Sequence, residues 1–305
     1  MSQGVFFSLV LFFLAVAPAA ARDIYVNNVD GDDLLDGSIS QRRGVFEGPV
    51  RTIRRALRLA GKSDRVIIAN AGKPYRESVS LSTGRHTGDR QRPFTIVGNG
   101  AVLDGSLPVP NAAWEHYRDD VFRFRPSWLG NPVVLLNDRP AKRRPDAIRH
   151  RRKPLLEPLE WEAYGAYIYF CVEKIRRPED YAISHAVRPC GITLYQVHDV
   201  RIENLFVQHF RIDGIHVNDG VRRCELIQIT ARGNGRSGIF VGGASYEIVV
   251  RRCLIGDNST AQLLLRGFSQ TEVLQSELLK ASAPPIVRQG KAEVKIVPIK
   301  AEAGQ

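Results

Sequence analysis

The sequence predicts an all-β chain wound as a parallel β-helix, and three observations predict it. Short rows recur: Gly191-Ile192-Thr193-Leu194, Gly214-Ile215-His216-Val217, Gly238-Ile239-Phe240-Val241 and Gln262-Leu263-Leu264-Leu265, at spacings of 23, 24 and 24 residues. A period of this size marks a repeat architecture in which each unit buries its apolar face against the next. Inside a row the apolar residues alternate, as Ile215 and Val217 or Ile239 and Val241 do, which is a strand signal without helical periodicity. Between the rows lie Asn/Gly/Asp turns and a second set of apolar strings, Val200-Arg201-Ile202, Val221-Arg222-Arg223-Cys224 and Val250-Arg251-Arg252-Cys253. Two strands per turn of about 24 residues suit a chain in which each strand pairs in parallel with its copy one turn later. A leucine-rich repeat needs a Leu-x-x-Leu-x-Leu pattern that these rows lack.

The Gly-Ile-x-Val rows, the Val200-Arg201-Ile202-Glu203-Asn204 string and the Asn234-Gly235-Arg236-Ser237-Gly238 turn together resemble right-handed parallel β-helix proteins of the pectin/pectate-lyase-like superfamily. The clear repeats cover residues 190–290. The resemblance implies a single right-handed solenoid domain over residues 22–305. It specifies the reaction poorly, because the same coils serve lyases, hydrolases, epimerases and non-catalytic surface proteins.

The elements before the repeats follow in order. Val5 to Ala17 is a 13-residue apolar run broken only by Ser8 and followed by Pro18 and Ala19-Ala20-Ala21. Such a run is too short to span a bilayer, which takes about 20 residues, and its small-residue end reads as a cleavage site. Residues 1–21 are therefore expected to be a signal peptide cut near Ala21, giving a secreted, periplasmic or cell-surface protein with no transmembrane segment. Ile24-Tyr25-Val26 reads as a strand. After it, Asp30, Asp32, Asp33 and Asp36 are types that bind a hard cation such as calcium, although their spacing fits no standard calcium loop and Asp-Gly pairs are ordinary turn formers. Ile53, Ala56, Leu57 and Ala60 fall at helical spacing with arginines outside them, predicting a short amphipathic helix that caps the open end of the solenoid. Val66-Ile67-Ile68-Ala69 reads as the next strand, and Phe94 to Gly105 as a coil of two strands about a turn.

The period then breaks. Residues 106–189 hold all three tryptophans and most of the tyrosines, with strand-like pieces at Val121-Phe122-Arg123-Phe124, Val133-Val134-Leu135-Leu136 and Tyr167-Ile168-Tyr169-Phe170. This predicts a β-rich insertion flanking one face of the solenoid. Within it, Arg139 to Lys153 carries eight Lys/Arg, a solvated loop or an arm touching an acidic polymer.

A net charge of +11 on an exported chain favours an anionic polysaccharide as partner. Nucleic acid is not expected outside the cell, and a monomer is expected. Cys171, Cys190, Cys224 and Cys253 sit in a compartment where disulfides persist. Cys224 and Cys253 occupy matching places in the Val-Arg-Arg-Cys strings, which would stack them about 4.8 Å apart, bridged or as small apolar core residues. No Cys/His spacing suggests zinc.

If Ile215 and Val217 point inward, the outward columns become Thr193, His216, Phe240, Leu264 and Tyr195, Asn218, Gly242, Arg266. The polar end holds types that a uronate lyase or epimerase uses: a neutraliser for the sugar carboxylate, a base for the C5 proton and an acid for the leaving oxygen. His216, Tyr195, Asn218 and Asp219 are the candidate catalytic residues, and Arg266, Thr193, Phe240 and Asp213 the candidate substrate-binding residues. Calcium is a possible cofactor. A non-catalytic polysaccharide-binding or cell-surface structural protein is the alternative. A glycoside hydrolase ranks below both. Asp213-Gly214-Ile215 resembles part of the polygalacturonase signature, but the paired Asp-Asp, Gly-His-Gly and Arg-x-Lys are missing, Asn234 standing where the His would be. Fully extended, the Asp213 to Asp219 separation approaches roughly 20 Å, whereas inverting carboxylate pairs need about 6.5 to 9.5 Å.

Overall fold

A computed structural model describes residues 21–144, 155–280 and 283–298. Residues 1–20 of the expected signal peptide, and residues 145–153 of the basic run, lie outside these.

The alternation seen in the rows produces two long parallel sheets. In the first, strands Asp23–Val26, Arg65–Ile68, Phe94–Asp104, His198–Gln208, Arg222–Arg232, Tyr246–Arg251, Gln270–Leu274 and Glu293–Val297 stack in that order, so eight rungs succeed one another along this long sheet. In the second, the short sheet, Val79–Ser82, Cys190–Tyr195, Asp213–Val217, Ser237–Val241, Ala261–Gly267 and Ile286–Gly290 do the same. Ile192, Ile215, Ile239, Leu263 and Ile286 lie in one register column, and the first four are almost wholly buried in one continuous apolar core. Each such side chain contributes roughly 1.5 to 3 kcal/mol on burial.

Bends within the first sheet are built by special backbone. Asn204, Gln228, Arg252 and Gln275 all take the left-handed conformation at equivalent bends. Opposite Asn204 the chain is irregular: Phe94–Asp104 is one continuous strand with a bulge, in which Gly98 to Gly100 face the single Asn204. At the next corner, Asn234 Oδ1 accepts from the Phe210 amide at 2.9 Å and its Nδ2 donates to Asn258 Oδ1 at 2.9 Å, while Asn258 Nδ2 donates to Gln262 Oε1 at 2.7 Å. The position expected to compare with a hydrolase histidine is thus a wholly buried rung of an amide ladder. A Cβ at Gly214 would lie 2.7 Å from the Gly238 carbonyl, which is why the rows begin with glycine.

The helix forms at Ile53–Leu59 with Thr52 as N-cap, its hydroxyl accepting from the Arg55 amide. Its apolar face joins the main core at the first coil. The aspartates before it are engaged in turns and caps: Asp33 accepts from the Arg51 and Thr52 amides and the Thr52 hydroxyl, and Asp36 accepts from Ser38.

The insertion comprises two sheets whose strands pair antiparallel, except that Lys142–Arg143 runs parallel to Glu160–Tyr164. One orders Lys142–Arg143, Glu160–Tyr164, Tyr167–Cys171, Val121–Phe124 and Glu115–Arg118; the other orders Ser106–Pro108, Ile183–Ala186, Val134–Leu136 and Arg139–Pro140. It has its own core around Phe124, Val134, Trp161, Ile168 and Phe170. The described part of the basic run is anchored, since Lys142 and Arg144 pair with Glu160 and Arg143 lies over the Trp161 ring.

The cysteine stack requires correction. Cys224 registers with Ile248, and Cys253 falls past the end of that strand. The Val-Arg-Arg-Cys strings match in composition but are farther apart than one coil. All four cysteines are buried and free.

Candidate functional site

The short sheet places the site. Thr193, His216, Phe240 and Leu264 form one outward register column, and Tyr195 and Arg266 are exposed on the same face. This column is not an open ladder. Phe240 and Leu264 are buried with Ala261 in a small apolar cluster. Gly242 makes room for the Phe240 ring, which would contact any Cβ there at 2.6 Å. The ring stacks on His216 with centroids 4.5 Å apart, and the Arg236 guanidinium lies 4.6 Å from its centroid on the outer side of the strand. Phe240 therefore supports His216 and Arg236.

The polar centre is Asp213. Its carboxylate is wholly buried. It accepts from His216 Nδ1 at 2.7 Å, from Arg236 at 2.5 and 3.0 Å in a two-pronged pair, and from the Ser237 hydroxyl at 2.6 Å. Burial pushes the carboxyl pKa up, but the His216, Arg236 and Ser237 contacts outweigh it and hold Asp213 below the ordinary carboxylate range. An ionised Asp213 keeps the proton of His216 on Nδ1. Nε2, which has no hydrogen-bond partner among the described residues, is then left as the acceptor. His216 is partly exposed, its side chain 19% accessible. An imidazole oriented by a buried carboxylate, with its other nitrogen free, has the form of a general base.

The remaining candidates fall around this centre. Thr193 is the rung neighbour of His216. Tyr195 is exposed two residues further along the Thr193 strand, with Asn218 beside it on the next rung. Arg266 lies two rungs over and two residues along from His216, exposed on the same face. Asp219 is not brought to His216: it sits in a turn, its Oδ1 accepting from the Ala244 amide at 2.8 Å, packed against the left-handed Gly243. Arg236 was missed in the sequence, although it directly precedes Ser237, the register partner of Asp213 one coil on.

Cys190, Asp213 and His216 offer donor atoms within 4.8 Å of one another. They do not fit a metal, because Arg236 already occupies both oxygens of Asp213 and burial pushes the Cys190 thiol up to about 11, keeping it protonated. A separate groove of about 740 Å³ runs along the long sheet. Most of its carboxylates are matched by cations, as in Asp199 with Arg223, Glu225 with Arg201 and Glu272 with Lys295. These pairs tie one coil to the next.

No protein-family model matches the chain, and no curated protein matches it. Among solved structures, "The complex structure of XylC with xylose" aligns with TM-score 0.56 and 13% identity over 83% of this chain, which spans 58% of that one. A structure described as "Glycoside hydrolase" aligns with TM-score 0.59 and 13% identity over 84% of this chain and 73% of its own. The pectate lyase Pel9A aligns over 91% of this chain and 62% of its own, at TM-score 0.46 and 13% identity. The fold is an all-β parallel β-helix, shared with the first two of these structures. Among the described residues no helix is long and apolar enough to cross a membrane.

Proposed function

We propose that this chain is a carbohydrate-active enzyme that abstracts the C5 proton of a uronate unit, as a lyase or an epimerase, with His216 as the base. The buried Asp213 that fixes His216 Nδ1 as a donor carries this reading. In this assignment His216 Nε2 takes the proton, and Tyr195, exposed on the adjoining strand, serves the leaving oxygen or the opposite face of the sugar. Arg236 keeps Asp213 ionised, and Arg266 meets the carboxylate of a neighbouring sugar unit. Two described neighbours are named for xylose binding and glycoside hydrolysis, which supports a carbohydrate substrate class. The apolar leader supports export, and the +11 charge an anionic polymer.

The test is a panel of uronate polymers given to the mature protein, with and without calcium. A lyase produces unsaturated ends that absorb in the ultraviolet, and an epimerase changes stereochemistry without shortening the chain. Reducing ends without that absorbance would move the assignment to a hydrolase. Retention of the polymer with no product would move it to a binding protein.

A further inference from the structure

The insertion reaches the site through one loop. Arg211 donates from Nη1 to the Gly130 carbonyl at 3.3 Å, and the Asn131 carbonyl packs so closely on Gly235 that no side chain fits there. The next residue is Arg236, whose guanidinium holds Asp213. The loop therefore sits at the lip of the His216 centre. It carries Trp128, which is 61% exposed although it is among the largest apolar side chains in the protein. The indole is held in place: the Arg211 guanidinium lies 4.7 Å from its ring centroid. One face rests on that cation and most of the ring meets solvent.

Arg211 is unusual in its own right. It is 8% exposed, has no carboxylate partner among the described residues, and its Nε is buried without a hydrogen-bond partner. A buried cation is normally paired. An exposed aromatic plane immobilised over an uncompensated cation offers a stacking surface for a sugar ring and an attractive field for a carboxylate on it.

We propose that Trp128 and Arg211 form an acidic-sugar subsite on the insertion side of His216, in which the indole stacks on a uronate ring and Arg211 favours its carboxylate. This rests on the carbohydrate assignment of the His216 face, and it adds the direction of the polymer, which runs from the insertion lip across the short sheet. Trp128 is then a specificity residue and takes no part in proton transfer.

The test uses the full mature chain, a galacturonate hexamer and, as neutral counterpart, xylohexaose. Trp161 is buried and Trp114 partly so, which makes Trp128 the indole reporting on the solvent side. The galacturonate hexamer is expected to change the tryptophan emission of wild type and of His216→Ala alike. Trp128→Ala should abolish that change and weaken binding about tenfold, which is about 1.4 kcal/mol. Trp128→Phe should restore most of the affinity, and Arg211→Gln should erase the preference for the acidic hexamer over the neutral one. Binding by calorimetry with unaltered emission and the same affinity in Trp128→Ala would overturn the subsite while leaving the His216 assignment intact. Emission changes without product in any variant would keep the subsite and remove the catalytic assignment. Absence of binding by either hexamer would overturn the subsite.

Discussion

His216 Nδ1 and Asp213 Oδ2 lie 2.7 Å apart, three residues apart on one strand, with the carboxylate wholly buried and the imidazole partly exposed. That geometry separates two roles, because Asp213 meets no solvent, while His216 does.

The separation predicts different outcomes for the two residues. His216→Gln should lower turnover by ~10²–10⁴, the usual worth of a general base, and leave the melting temperature nearly unchanged. Asp213→Asn should lower turnover comparably and also destabilise the fold by about 3–5 kcal/mol, because it leaves the Arg236 charge uncompensated. Parallel thermal melts and rates distinguish them; equal stability of the two variants would contradict the assignment.

The register can be tested at neighbouring positions. Ile239 is in the central stack and Phe240 in a side cluster. Ile239→Ala should cost about 2–5 kcal/mol by transfer and cavity terms. Ile239→Asp should prevent folding. Phe240→Ser, which the sequence pattern alone would make mild, should be clearly destabilising and also reduce activity, since the ring buttresses His216 and Arg236. Denaturant midpoints of Ile239→Ala and Phe240→Ser give the comparison.

Asn234→Ala should destabilise by about 1–3 kcal/mol, the penalty of leaving a buried amide without its acceptor, here that of Phe210. A chemical-denaturation midpoint unchanged from wild type would show that the ladder contributes nothing net.

Acid should loosen the insertion through His185. Burial lowers its pKa from 6.5 to about 4 in the folded chain. The unfolded chain therefore binds the extra proton between those values, so the stability from a neutral His185 is complete above pH 6.5 and is lost as pH falls towards 4. Melting temperature should drop less steeply across that window in His185→Leu than in wild type. Parallel slopes would exclude His185 as the cause.

Much of this was legible in the sequence because a solenoid repeats its constraints. The alternation of Ile215, His216 and Val217 fixed which side chains point out, and the 24-residue period fixed which rungs meet. The same period would have paired Asp213 with Ser237, bringing the adjacent Arg236 to it, and separated Cys224 from Cys253, but matching strings by composition hid both relations. The covering of the outward column was not legible, since nothing local says that Phe240, Leu264 and Ala261 bury one another. Nor was the contact of Arg211 with Gly130, which spans 81 residues and joins the solenoid to an aperiodic insertion.

Deuterium exchange at C5 of the sugar tests the central claim most directly, since lyase and epimerase share that proton abstraction. A uronate polymer incubated with the protein in heavy water should gain C5 deuterium in recovered epimerised units, or lose C5 hydrogen at a primary isotope-sensitive rate in unsaturated ends. Both signals should vanish in His216→Ala, with the fold and polymer binding retained. Undiminished C5 chemistry in His216→Ala, or product formed with the C5 hydrogen untouched, would contradict the account.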